Sequence, residues 1–195
     1  MSQTPQLILA STSVYRRELL ERLRIPFECA RPDVDESARG GEAPEALALR
    51  LSQSKARAVA SAFPGSLIIG SDQVATCGGE RLDKPGTHAK AVEQLTRASG
   101  RTARFDTAVS VLDTRTNKIA GTVVPCLVHF RPLTAETIEA YLVRERPYDC
   151  AGSAKAEGLG IALIARIETS DPTSLVGLPL IALTDLLGDF GLNVI

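Results

Sequence analysis

Asp72 stands two residues beyond the apolar run Leu67-Ile68-Ile69-Gly70, where a buried strand should end. A carboxylate there is awkward to desolvate unless a cation, hydrogen bonds or a metal ion meets it. A helix cap or a turn would also account for it. Asp33, Asp35 and Glu36 form a second acidic group, which by itself reads as a solvated loop. The cations that could complete such a site are Arg16, Lys55 and Lys84. Each lysine alone would pass for a surface residue. Together, carboxylates, two lysines and an arginine can hold a divalent ion and a polyphosphate: the cations balance the phosphate charge while the metal activates water.

Other chemistries find less support. The sequence has no GxxxxGK[ST] phosphate loop, and Gly158-Leu159-Gly160 carries only the first two glycines of a dinucleotide fingerprint. Ser52-Gln53-Ser54-Lys55 matches SxxK, but no SDN or KTG accompanies it. Cys29, Cys77, Cys126 and Cys150 make no CxxC pair, and His88 and His129 are the only histidines, so a structural zinc site is not expected.

Hydrophobic periodicity supplies the elements that must position these residues. Residues 7–10 and 67–70 read as buried strands, the second carrying Ser71-Asp72-Gln73 at its C-terminal end, where ligands of open α/β sheets collect. Residues 14–23 follow a helical period behind Ser13 as N-cap, and Arg16 falls at the N-terminal end of the inward-facing side, where an arginine needs a partner. Pro44 opens a helix to about residue 61 with Leu47, Leu51 and Ala58 on its apolar stripe, and 28–43 reads as a charged, turn-rich connection. Further along come a helix over 88–98, strands over 101–112 and 119–130 as an antiparallel pair, and a helix from Thr134 to about Arg144. A loop over 150–160, a strand over 161–167 and a helix over 178–187 complete the chain. This mixture predicts an α/β fold with a mixed twisted sheet and flanking helices. One domain over 1–195, long enough to form two lobes around a cleft, is the expectation.

The formal net charge of -1 leaves no overall field for the backbone of a long nucleic acid, although local Arg and Lys can still bind a small phosphorylated ligand. No apolar stretch is long enough to cross a bilayer, and the N-terminal residues lack a basic leader and long apolar run. With unpaired cysteines, the expectation is a cytoplasmic protein with free thiols.

The order and spacing of nine blocks resemble the Maf family of nucleoside triphosphate pyrophosphatases. They are Leu9-Ala10-Ser11-Thr12-Ser13 with Arg16 and Leu19-Leu20, Val34-Asp35-Glu36, Lys55-Ala56, Ser71-Asp72-Gln73, Lys84-Pro85, Ser99-Gly100, Val128 with Phe130-Arg131, Ala151-Gly152, and Val176-Gly177-Leu178-Pro179-Leu180. The resemblance implies a two-lobed α/β protein similar to the inosine triphosphate pyrophosphatase superfamily, with its site in the groove between lobes. It implies cleavage between the α and β phosphates of a nucleoside triphosphate with Mg2+ or Mn2+, and a homodimer. By motif, Ser11 and Ser13 belong to the loop entering the first helix, Arg16 to a phosphate contact, and Lys55 and Lys84 to the polyphosphate. Glu36 and Asp72 then form the acidic, metal-facing centre, with Asp72 as general base.

Base preference is written in three positions. Members acting on dTTP and UTP usually carry arginine before the motif arginine, threonine after the aspartate and glutamine in the later loop. This chain has Tyr15, Gln73 and Glu157 there, resembling the subfamily that hydrolyses 7-methyl-GTP, in which tryptophan is usual at the Tyr15 position. A cationic methylated guanine would stack on Tyr15 and donate hydrogen bonds to Glu157. Two departures stand out: Asp83 where glycine usually precedes the lysine, and Ala108 where glycine usually follows the strand threonine. Arg131, Lys155 and Asp171 are second-rank candidates, balanced between ligand contact and structural pairing.

Overall fold

The computed structural model describes residues 5–195. Its elements are, in chain order, β1 (Leu7–Ala10), α1 (Val14–Glu21), β2 (Glu28–Ala30), α2 (Pro44–Ala58), β3 (Leu67–Cys77), β4 (Glu80–Arg81), α3 (His88–Ala98), β5 (Thr102–Asp113), β6 (Lys118–Phe130), α4 (Ala135–Glu145), β7 (Ile164–Thr169) and α5 (Leu180–Asp189), with short 3-10 turns at Ala60–Ala62, Ala151–Ser153, Leu159–Leu163 and Ser174–Val176. Six strands lie in the order β2-β1-β3-β5-β6-β7, and β4 pairs beside β3. The sheet is mixed: β1 runs parallel to β2 and β3, whereas β3–β4 and β6–β7 are antiparallel. The expected mixed α/β fold is therefore present.

Two sequence readings are corrected. The charged connection 28–43 contains a strand, because Glu28–Ala30 pairs in register with Ile8, Leu9 and Ala10. The strand after residue 67 does not stop at Gly70 but continues to Cys77, so Asp72 lies within β3 rather than at its C-terminal end. The N-caps anticipated at Ser13 and Thr134 are present, each hydroxyl accepting the backbone N–H three residues on.

The chain divides into two compact units. The first comprises Met1–Gln73, Thr107–Val124 and Asp171–Ile195, and the second Val74–Asp106 and Pro125–Ser170. In the first, alternation along the strands separates two apolar layers. Leu7, Leu9, Leu67, Ile69, Val109 and Val111 pack with Leu19 and Leu20 of α1 and Leu183 and Leu187 of α5. Ile8, Ala10, Ile68 and Leu112 pack with Ala56 of α2. Each fully buried Leu or Ile contributes about 1.5–3 kcal/mol, so each layer holds its helix firmly. In the second unit α3 packs on α4, burying Ala91, Leu95 and Ala98 on one side and Ile138, Tyr141 and Leu142 on the other.

Among the described residues no helix is long and apolar enough to cross a membrane. None of the four cysteines is in a disulfide.

Candidate active site

The close approach of α2 to β3 creates the chemical centre. Gly70 and Asp72 lie on the face of β3 that carries Ile68, since side chains alternate along a strand. Ser52, Lys55 and Ala56 lie on the buried stripe of α2. A Cβ on Gly70 would stand 1.9 Å from the Ser52 carbonyl oxygen and 3.0 Å from the Ala56 nitrogen, so only glycine lets the helix backbone settle here. Less than one turn further along α2, Lys55 reaches two residues further along β3. Its Nζ donates to Asp72 Oδ1 at 2.6 Å and lies 2.6 Å from Glu36 Oε1.

Lys55 and Asp72 are buried, at 6% and 7% exposure, whereas the Glu36 side chain is 61% exposed. The ammonium therefore joins an interior carboxylate to one open to solvent. Burial of the Asp72–Lys55 pair costs desolvation that only good geometry repays. An ammonium has three protons, and two carboxylate partners leave a third for a phosphate oxygen.

Arg16 approaches from α1. Its Nε donates to the Gly177 carbonyl at 2.8 Å, and the single proton of the Ser71 hydroxyl is shared between that oxygen, 2.9 Å away, and Ala108 O at 2.8 Å. Gly177 adopts φ 120°, a conformation that side chains rarely allow, and this turns its carbonyl toward both donors. Burial pulls the Arg16 guanidinium below its ordinary pKa, while the charges of Asp72 and Glu36 oppose that pull. It remains a cation at any physiological pH. The inward placement expected for Arg16 is present, with a backbone carbonyl as one partner.

Ser13 caps α1 by accepting from Arg16 N at 3.4 Å, and Ser11 accepts from Ser13 N at 3.1 Å. Both hydroxyls thus shape the turn that delivers Arg16. Each can still donate its own proton to a ligand. Tyr15 sits beside Arg16 in the first turn of α1 and is half-buried.

Gln73 is next to Asp72 in sequence but points to the opposite face of β3. Its amide nitrogen lies 2.9 Å from Thr107 Oγ1 and 3.1 Å from both Ser174 O and Leu175 O. Thr107 Oγ1 also donates to Ser174 O at 2.9 Å. The donor end of Gln73 is therefore spent on fastening the 174–175 turn to the sheet, and only its oxygen can serve as a recognition group.

Asp171 resolves toward a structural part. It is 2% exposed. Its Oδ2 accepts from Ile181 N at 2.7 Å and Ala182 N at 3.2 Å, while Oδ1 accepts from Thr173 N and Oγ1. It closes the N-terminus of α5, where a negative charge also suits the helix dipole. Asp171→Ala should lower stability by about 1–2 kcal/mol, or roughly 2–8 °C in Tm, with kcat of the folded enzyme within about two-fold. Thermal unfolding and turnover measured on one preparation check this. Lost turnover at unchanged Tm would instead make Asp171 a ligand contact.

Lys84 and Glu157 belong to the second unit. Lys84 lines a hollow of about 220 Å³ with Arg81, Asp83, Lys90, Glu93 and Arg97. Asp83 pairs with Arg81 at 2.7 Å, so its partner is a cation other than Lys84. The loop is tied down behind Lys84, where Gly86 N donates to Tyr148 O. Glu157 is exposed and flanked by two anchors: Lys155 N donates to Tyr141 Oη at 3.0 Å, and Leu159 N to Glu145 Oε2 at 2.7 Å. Lys155 itself pairs with Glu145 at 3.3 Å, and this hydrogen bond raises its pKa.

Ser71, Gly177 and Thr107 carry no sequence signal of the parts they play here. Ser71 and Gly177 lay within recognised blocks. Their shared carbonyl contact joins segments 106 residues apart and leaves no local signature.

The described residues include no group of three or more His, Cys, Asp or Glu arranged for a metal ion. The donors that do meet are two carboxylates, which is the number Mg2+ commonly takes from protein when phosphates and water complete its shell. In this structure both carboxylates meet the Lys55 ammonium, and by donor type they are the pair that would hold such a cation.

A family model described as Maf-like protein matches residues 6–190. A 7-methyl-GTP pyrophosphatase of Bordetella avium is 56% identical over 193 residues, covering 99% of this chain and 97% of the relative. One of Cupriavidus pinatubonensis is 58% identical over 187 residues, with 96% and 94% covered. Among solved structures, a HAM1 protein from Coxiella burnetii aligns over 82% of this chain and 98% of its own at 14% identity and TM-score 0.43, too distant to bear on the assignment. With a match across nearly its whole length, and relatives more than half identical to it, the chain belongs to the Maf-like protein family.

Proposed function

We propose that this protein hydrolyses 7-methyl-GTP between its α and β phosphates, giving 7-methyl-GMP and pyrophosphate. The observation that carries the reading is Lys55, a buried ammonium 2.6 Å from both Asp72 and Glu36. Simple recognition of a base has no need for that arrangement. Substitution at phosphorus, where negative charge builds, does. The relatives named as 7-methyl-GTP pyrophosphatases point to the same substrate.

In the proposed mechanism Asp72 accepts a proton from the water that attacks the α phosphorus, and the bond from that phosphorus to the bridging oxygen breaks as pyrophosphate leaves. Lys55 holds the Asp72 carboxylate in one orientation and directs its remaining proton at a phosphate oxygen. Arg16 and Lys84 stabilise charge that grows on the phosphoryl oxygens and the departing pyrophosphate. Glu36 orients the water from the solvent side. Asp72 and Glu36 would hold Mg2+ or Mn2+, which would supply charge neutralisation and a lowered water pKa. Tyr15 stacks on the methylated base, Glu157 accepts its N–H protons, and Ser11 and Ser13 donate to the phosphate chain.

A panel of nucleoside triphosphates with Mg2+ or Mn2+, scored by pyrophosphate release, tests this function. 7-Methyl-GTP should give the highest kcat/KM. Faster turnover of dTTP or UTP would overturn the specificity, and tight binding without turnover would point to a nucleotide-binding regulator.

A further inference from the structure

Glu36 reaches Lys55 from an open connection, yet the segment carrying it is held at several points. The Arg50 side chain, five residues before Lys55 on α2, grips Glu42 with two bonds: Nε to Oε1 at 2.6 Å and a terminal nitrogen to Oε2 at 2.7 Å. The same terminal nitrogen donates to the Ser37 carbonyl at 3.0 Å. Glu42 Oε2 also accepts from Arg39 N at 3.0 Å, and Ser37 N donates to Asp35 Oδ1 at 2.9 Å. Two consecutive residues of one loop, Glu36 and Ser37, are thus each held by a cation of one helix.

We propose that Arg50 is a positioning residue that clasps the 35–42 loop through Glu42 and Ser37 and so sets Glu36 over Lys55. The two-pronged contact needs a planar guanidinium, which spans both oxygens of one carboxylate, whereas an ammonium meets them one at a time. Glu42 neutralises Arg50, and three acceptors take the protons of Nε and one terminal nitrogen, so these donors serve the loop. The hydrogen bonds from Arg50 hold the Glu42 carboxyl down at about 2. The pair therefore stays ionised wherever the enzyme works. The side chains of Arg50 and Glu42 are only 20% and 11% exposed, which shelters the clasp from competing water.

This inference rests on the proposed role of Glu36, and the test separates the two. Arg50→Met keeps the apolar stem and removes the donors; Arg50→Lys keeps the charge and loses the fork. Both should lower kcat about ten-fold or more with KM for 7-methyl-GTP within about two-fold, and hydrogen exchange at the 35–42 amides should quicken at least ten-fold. In a Glu36→Gln background, Arg50→Met should add less than two-fold. Full wild-type kcat in Arg50→Lys would reduce Arg50 to a charge and overturn the clasp. Effects of Arg50→Met and Glu36→Gln that multiply would show that Arg50 acts elsewhere. If Glu36→Gln alone keeps wild-type turnover, the role of Glu36 falls, and unchanged exchange at the 35–42 amides in Arg50→Met is the separate result that would remove the clasp.

Discussion

Asp72→Asn should lower kcat by about 10²–10⁴-fold, the range supplied by a positioned general base, while KM for the nucleotide changes by only a few-fold. The replacement has nearly the same shape, and its oxygen can still accept the proton that Lys55 donates to Asp72 at 2.6 Å. What disappears is basicity and one negative charge at a residue 7% exposed. In the proposed mechanism binding is spread over Arg16, Lys84 and the base contacts, so it should survive. The proposed chemical step depends on one carboxylate, so it should not. Near-native kcat, with folding verified by thermal unfolding, would remove Asp72 from the mechanism.

Gly70→Ala tests the architecture beneath that chemistry. The added methyl would stand 1.9 Å from the Ser52 carbonyl oxygen and 3.0 Å from the Ala56 nitrogen. Both are backbone atoms of α2, so relief requires moving the helix and not merely turning a side chain. Overpacking of this kind costs typically 1–3 kcal/mol and occasionally more; with helix backbone as the obstacle the upper end, about 3 kcal/mol, is expected. Tm should fall by roughly 6–12 °C. Lys55 rides on the displaced helix, and a misplacement of about 1 Å at a catalytic group can cost 10²-fold in rate. Activity of the folded fraction should therefore fall as well. An unchanged Tm with full activity would mean that α2 is not held against β3 by the missing Cβ.

Much of this architecture is legible in the chain because the apolar patterns are local. The runs 7–10 and 67–70 announce strands, and Ser13 and Thr134 announce helix starts through their capping chemistry. β2 escapes such reading because its three residues, Glu28, Cys29 and Ala30, bury little and owe their conformation to main-chain pairing with β1. The continuation of β3 past Gly70 is hidden by Ser71, Asp72 and Gln73, which look like a polar loop but are paid out to opposite faces of one strand. Asp72 faces Lys55, and Gln73 faces Thr107 and Ser174.

The candidate site divides in the same way. Asp72, Lys55, Glu36 and Arg16 can be named from residue type, spacing and family resemblance. The supporting contacts cannot, because Arg16 to Gly177 spans 161 residues and Ser71 to Gly177 spans 106. Even the Arg50–Glu42 clasp, only 8 residues apart, joins a loop residue to the body of α2 across the Ala43-Pro44 helix start, where no periodicity connects its ends. Burial and exposure separate the two carboxylates on Lys55, a difference their shared acidity in sequence does not reveal.

In the proposed reaction water attacks the α phosphorus, and hydrolysis of 7-methyl-GTP in oxygen-18-labelled water with mass analysis of both products reads that step. The expected result is one labelled oxygen in 7-methyl-GMP and none in pyrophosphate. Orthophosphate and 7-methyl-GDP as products, or label in the pyrophosphate, would contradict it.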